Sequence, residues 1–204
     1  MQVETFALGE LQANAYLVLG NGTNLIIDPG GDPTRLAARI ERIGTAPAAI
    51  LLTHGHWDHV AGVGELKDRF DAPIYLHEAD RFLYEHVPAQ AEYFGFRAGP
   101  QPPVDRVVSD GQVIEAGPLR FEVLHTPGHT PGGVCYRIGD VVFVGDTIFA
   151  GGIGRCDLPG GSYEQLIGSI RRKILTLEDA VTLYPGHGPP TTVDAERTSN
   201  PFLQ

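Results

Sequence analysis

Six consecutive residues, His54-Gly55-His56-Trp57-Asp58-His59, constrain this chain more than anything else in it. They follow an apolar run, Ala49-Ile50-Leu51-Leu52-Thr53, whose length and character suit a buried strand. In extended backbone His54 and His56 project to the same side, and Gly55 between them leaves room for a close approach. Asp58 and His59 fall where the chain turns into the next helix, so they reach a second point nearby. Three imidazoles and a carboxylate in six residues make a poor core. They make a good donor set for borderline metal ions.

The surrounding chain predicts hairpins with helices interspersed. Residues 3–8, 13–19 and 23–28 read as strands, the third ending in the turn signal Asp28-Pro29-Gly30-Gly31. Asp32-Pro33 reads as a helix start, with Asp32 as N-cap and Pro33 as first helical residue. Leu36, Ile40 and Ile43 form the apolar stripe, and Gly44 ends it. The strand at 49–53 carries the histidine cluster. A helix over 61–70, a strand at 74–77 and a helix-like stretch at 78–86 follow. Residues 88–103 read as irregular; with Tyr93, Phe94 and Phe96 they suit a lid or a substrate wall. Strands at 106–108 and 119–125 lead into Thr126-Pro127-Gly128-His129, and 134–138 with 141–144 form a hairpin at Gly139-Asp140. A glycine-rich loop spans 150–161, Ser162 to Gln165 has capping-box spacing, and Leu166, Ile170 and Ile174 share a helix face. A strand at 181–184 and a closing helix in 193–203 complete the chain. This pattern predicts an α/β fold of two mixed sheets packed together with helices outside, in one domain of residues 1–204.

Bulk properties exclude several functions. A net charge of −10 and a pI near 5.1 argue against a nucleic-acid or anionic-membrane surface. No apolar run approaches the length of a bilayer span, and no N-terminal segment has secretory character. Cys135 and Cys156 make no disulfide framework and no CxxC pair. A reducing, cytoplasmic setting is expected.

Four loops, each just after a predicted strand, carry His54/His56/Asp58/His59, His129, Asp146 and His187. Loops at one sheet edge converge in space although distant in sequence. Seven donors exceed one tetrahedral ion but suit two ions sharing a carboxylate.

With these motifs the chain resembles the metallo-β-lactamase-fold superfamily, and within it the short glyoxalase II-like (hydroxyacylglutathione hydrolase-like) enzymes. The resemblance rests on Ile27-Asp28-Pro29-Gly30, Thr53 to His59, His125 to Gly132, Gly145-Asp146-Thr147 and Tyr184 to Gly188. It implies a four-layer αββα sandwich. It also implies that His54, His56 and His129 hold one divalent ion and Asp58, His59 and His187 a second, with Asp146 between them. Zinc is the expected metal, with iron and manganese as alternatives. Asp28 and Thr53 are implied to orient the ligands. The implied activity is hydrolysis of a small-molecule thioester of the S-lactoylglutathione kind, by a hydroxide clamped between the ions, with Asp58 orienting that nucleophile and holding its proton.

Arg155 stands where such enzymes place a basic residue for the glutathione carboxylate, but Asp157 replaces the aromatic residue often found beside it. The larger enzymes also carry a C-terminal helical extension that helps to bind glutathione, and none follows His187 here. The rival activities are a mononuclear-iron persulfide dioxygenase of the same fold, a lactonase or other metallo-hydrolase, and a non-catalytic scaffold. No nucleic acid or membrane is expected as partner, and the protein is expected as a monomer or small homo-oligomer. His77, His86 and His125 read as structural or exposed, Cys135 as core, Cys156 as a spectator thiol, and Trp57 as packing beside the site.

Overall fold

Strand β2 (Ala13–Gly20) shows how the chain is layered. Ala15 and Leu17 enter one apolar cluster, while Tyr16 and Val18 enter another, as alternation across a pleated strand requires. Strand β10 (Val141–Gly145) does the same one layer on: Phe143 joins the second cluster, Val142 and Val144 a third. Both faces of each central strand are therefore buried, which explains their near-continuous apolar sequence. Each fully buried Leu, Ile or Phe contributes roughly 1.5–3 kcal/mol.

The computed structural model describes residues 1–204. The first sheet has the order β1 (Gln2–Leu8), β2, β3 (Thr23–Ile27), β4 (Ile50–Leu51), β5 (Ile74–His77), β6 (Arg106–Val108). Its first three strands are antiparallel and the rest run parallel to β3. The second has the order β14 (Thr191–Thr192), β13 (Thr182–Pro185), β10, β9 (Val134–Ile138), β8 (Leu119–His125), β7 (Val113–Ala116). Only β10 and β13 are parallel there. Helices α1 (Thr34–Ile43), α2 (Trp57–Val60), α3 (Val63–Phe70), α4 (Arg81–Tyr84) and α5 (Val87–Tyr93) cover the first sheet. The second is covered by α6 (Tyr163–Ser169) with its π-turn Ile170–Ile174, and by α7 (Val193–Ser199). This is the expected sandwich: helices, sheet, sheet, helices. No helix is long and apolar enough to cross a membrane.

Local differences from the sequence reading have identifiable causes. Helix α1 begins at Thr34, one residue late, because Pro33 (φ −80°, ψ 10°) occupies the cap position. Asp32 still serves the helix start, its Oδ1 accepting from Thr34 Oγ1 at 2.7 Å. Gly44 ends the helix in the left-handed conformation, as expected. The stretch 61–70 is helical only from Val63, since α2 precedes it as a separate turn holding Asp58 and His59. Residues 88–103 are not wholly irregular: α5 runs to Tyr93, with Pro88 tolerated in its first turn and Val87 and Ala91 buried one turn apart. Strands β7, β14 and the hairpin β11 (Ile148–Phe149) with β12 (Gly152–Ile153) are too short to show periodicity.

Candidate metal centre

Strands β4, β8, β10 and β13 each deliver one donor group beyond their C-terminal ends. Because β10 and β13 are parallel neighbours, Asp146 and His187 emerge side by side. The two sheets are tied at this edge, where Val134 N–H donates to the Thr53 carbonyl (2.8 Å) and Tyr136 OH donates to the Leu52 carbonyl (2.8 Å). The His187 loop is held from β2: Asn14 Nδ2 donates to the carbonyls of Pro185 (3.0 Å) and Gly188 (2.9 Å). Between them, Gly186 has to be glycine, since a Cβ would overlap Asp146 Oδ1.

All seven predicted donors meet in one place. His56 Nδ1 lies 2.8 Å from His129 Nε2, and these two with His54 form one cluster. His187 Nε2 lies 3.3 Å from both His59 Nε2 and Asp58 Oδ2, forming a second. Asp146 faces both: its Oδ1 is 3.4 Å from His59 Nε2, and its Oδ2 is 3.7 Å from His129 Nε2 and from His187 Nε2.

Several rings have their other nitrogen fixed, which determines the tautomer presented to the cluster. His129 Nδ1 donates to the Arg155 carbonyl at 2.8 Å, leaving Nε2 as a lone pair. Thr53 Oγ1 donates to Asp28 Oδ2 (2.5 Å) and so accepts from His54 Nδ1 (3.0 Å). His59 Nδ1 lies 3.3 Å from the same Asp28 oxygen but makes no hydrogen bond to it. His54 Nε2 and Asp146 Oδ1 are then buried with no hydrogen-bond partner. Buried polar atoms without partners are costly; here they aim lone pairs at common points, as ligands to a cation would. The donor set fits a dinuclear metal site.

The electrostatics keep two of the imidazoles neutral, as ligands must be, while the carboxylates favour positive charge beside His59. Burial, then the neighbouring imidazoles, holds His54 well below its ordinary value. Burial and His129 bring His56 down to about 3. Burial also lowers His59, but Asp146, Asp58 and Asp28 outweigh it and push His59 up to about 10. Burial raises Asp58, yet His59 and His187 outweigh it and hold the carboxyl below its usual range. A proton on His59 partly neutralises three carboxylates, and a metal ion displaces such a proton on binding.

A cleft of about 380 Å³ opens over the cluster, walled by Leu11, Trp57, Phe94, Phe149, Ile153 and Leu158. Trp57 is buried and stacks on Phe96 at 5.1 Å, so the 88–103 stretch forms part of the wall. Arg155 lies at the rim, but its guanidinium is forked onto Asp157 (2.7 and 2.8 Å). His77 and His125 stack on each other at 4.3 Å, outside the donor clusters. His86 is exposed and bonded to the Phe82 carbonyl, and Cys135 is buried in the third apolar cluster. Two buried carboxylates escaped the sequence reading. Asp80 bonds to the His54–His56 and His129 loops, and Glu196 bonds to Gly151 N, Thr191 and Asn200. Asp80 carried one usable signal: it follows β5 at the same sheet edge as the histidine motif. Glu196 carried none.

Comparisons with known proteins agree with this fold. Residues 8–187 match the family model described as the metallo-beta-lactamase superfamily. The hydroxyacylglutathione hydrolase GloC of Haemophilus influenzae is 42% identical, covering 100% of this chain and 98% of its own. Among solved structures, the BLEG-1 B3 metallo-beta-lactamase superposes with a TM-score of 0.94 at 38% identity, over 100% of both chains. TTHA1623, solved in a di-iron-bound form, superposes with a TM-score of 0.92 at 42% identity, over 98% of this chain and 100% of that one.

Proposed function

The chain belongs to the metallo-beta-lactamase superfamily, and from that premise we propose that it is a metal-dependent thioester hydrolase of the hydroxyacylglutathione type. The observation that carries the reading is the convergence of seven donor groups, with orphaned lone pairs, at the base of an apolar cleft. The name of the Haemophilus influenzae relative supports the substrate class. In this reading His54, His56 and His129 hold one divalent ion, Asp58, His59 and His187 the other, and Asp146 faces both. Zinc is the proposed metal; the di-iron relative makes iron the alternative to test. When bound, two such ions supply a water acidified to near-neutral pKa and an electrophile for the carbonyl oxygen.

The protein residues do the rest. Asp58 stays a carboxylate at neutral pH, points at the cluster and is largely shielded from solvent. It orients the attacking water and accepts its proton. The His54 and His129 imidazoles are fixed by Thr53, itself bonded to Asp28, and by the Arg155 carbonyl, so this part of the site needs little reorganisation as charge develops. Phe94, Leu158 and Phe149 exclude bulk water from the reacting carbonyl. The leaving thiolate has an ordinary pKa of ~8.5 and departs without a strong general acid.

Metal analysis combined with a substrate panel tests this: S-lactoylglutathione, other acyl-thioesters, an acyl-homoserine lactone, a β-lactam, and glutathione persulfide with oxygen monitored. Metal-dependent thiol release from the thioesters is expected. Preferential β-lactam turnover would favour the reading suggested by the name of BLEG-1. Oxygen uptake with the persulfide would replace hydrolysis by oxygenation.

A further inference from the structure

Asp80 ends the short 3₁₀ turn Glu78–Asp80 that follows β5, and it is fully buried. Its carboxylate makes three hydrogen bonds, all accepted. Oδ2 accepts from the Gly55 backbone N–H (2.9 Å) and from Thr130 Oγ1 (2.7 Å), and Oδ1 accepts from the Gly132 N–H (2.6 Å). Gly55 lies between His54 and His56. Thr130 and Gly132 follow His129. One carboxylate thus joins the two loops that carry the first cluster of imidazoles, loops that are otherwise 73 positions apart at His56 and His129.

The fit around Asp80 is tight from both sides. A Cβ on Gly132 would lie 2.6 Å from Asp80 N and 2.7 Å from its Oδ1. A Cβ on Gly55 would lie 2.8 Å from the Asp80 carbonyl oxygen. The glycines flanking the ligands therefore let the Asp80 turn approach, and the carboxylate fixes how far apart the loops stand. Only an acceptor suits three converging donors: an asparagine would aim its NH₂ at one of them.

We propose that Asp80 is a positioning residue for the first metal position, setting the separation of the His54–His56 loop from the His129 loop. It touches neither substrate nor the ion; it acts through Gly55, Thr130 and Gly132. This rests on His54, His56 and His129 being ligands, and the test keeps the two claims apart.

The test is zinc affinity, read by competition with a graded chelator and by counting metal per chain, in Asp80→Asn, Thr130→Val and, as control, His56→Ala. Urea unfolding of the chelated variants reports folding separately, and the visible spectrum of the cobalt-loaded proteins reports ligand geometry. Asp80→Asn is expected to weaken one of the two ions by ~10–100-fold, as loss of a ligand-orienting partner does, and to alter the cobalt spectrum. Thr130→Val removes one hydrogen bond with its shape retained, and is expected to weaken the same ion by about fivefold. If Asp80→Asn does not fold, Thr130→Val decides. A lowered urea midpoint with unchanged zinc affinity and cobalt spectrum makes Asp80 merely structural and overturns the proposal. If His56→Ala keeps both ions at wild-type affinity, the ligand assignment itself is wrong, and the proposal falls with it.

Discussion

The floor and the rim of the cleft are built differently. On the floor His54, His56, His59 and His129 are each at most 6% exposed, and Thr53 Oγ1 and the Arg155 carbonyl fix the Nδ1 atoms of His54 and His129. At the rim Leu11 and Phe94 are 44% and 37% exposed, and the one cation is tied to a neighbour two residues away. Buried, mutually bonded groups have one arrangement, whereas exposed apolar groups adapt. In the proposed reading the floor sets the class of chemistry and the rim the choice of substrate, which is how one fold serves many reactions.

The contrast breaks first at Asp58. Asp58→Ala removes a donor and the proposed proton acceptor together, so kcat on a thioester is expected to fall by at least ~10²–10⁴-fold, with far-UV circular dichroism unchanged. Steady-state kinetics at full metal loading reads it. Activity within tenfold of wild type would mean that the floor does not define the chemistry.

Metal removal probes the floor without mutation. Ions bound at ~1,000 times their dissociation constant stabilise by about 4 kcal/mol, so chelation should lower the urea midpoint markedly. The chelated protein should then depend on pH in a defined direction. His54 and His56 are held neutral by burial, His56 down to about 3. Their unfolded forms protonate near 6.5, so the stability they contribute is lost as pH falls from about 6.5 toward 3. His59, raised to about 10 by its carboxylates against burial, contributes fully below about 6.5 and loses its contribution as pH rises toward 10. Between pH 7 and 5 two losses oppose one small gain, so the midpoint should drop. A flat profile from pH 5 to 9 in the chelated protein would show that the floor is not electrostatically coupled.

The same contrast explains what the sequence made legible. The His54–His59 cluster, His129, Asp146 and His187 are visible because chemistry restricts donors to a few residue types and strand ends place them in loops. The layering is legible from hairpins with helices interspersed, while β2 and β10 read only as near-continuous apolar runs because both their faces are buried. Asp80 is legible only by its place after β5 at the edge that carries the histidine motif, and Glu196 not at all, because neither spacing nor residue type shows which distant groups a buried carboxylate will bond. Phe94 is legible as a wall residue from the aromatic cluster in 88–103, whereas Leu158 and Ile153 face the cleft through tertiary placement alone. Helix α5 was hidden behind Pro88, whose helix-breaking character disappears in a first turn.

At the rim the effects shrink. Phe94 borders both the metal-site cleft and a second groove of about 380 Å³ lined by Leu83, Tyr93 and Leu158. Phe94→Ala removes apolar contact worth ~1–2 kcal/mol, so KM for acyl-thioesters should rise by about 5–30-fold with kcat little changed. A fall in kcat with constant KM would place Phe94 with the floor.

The smallest effect is the most specific. Asp157 forks onto Arg155, and that charge draws the carboxyl down to about 2, so it is ionised at any working pH. The pair is exposed, so solvent screens it and it adds little to stability. Asp157→Asn leaves the guanidinium with its charge uncompensated at the mouth of the cleft. A glutathione thioester, which carries carboxylates, should then bind about 1.5–5-fold more tightly, the range of exposed ion pairs, with kcat unchanged. A thioester with an uncharged thiol arm should show no change, and the gain should fade as salt screens the rim. Equal effects on both substrates would mean that Asp157 shapes the loop rather than its charge; no effect on either would take Arg155 out of the substrate path altogether.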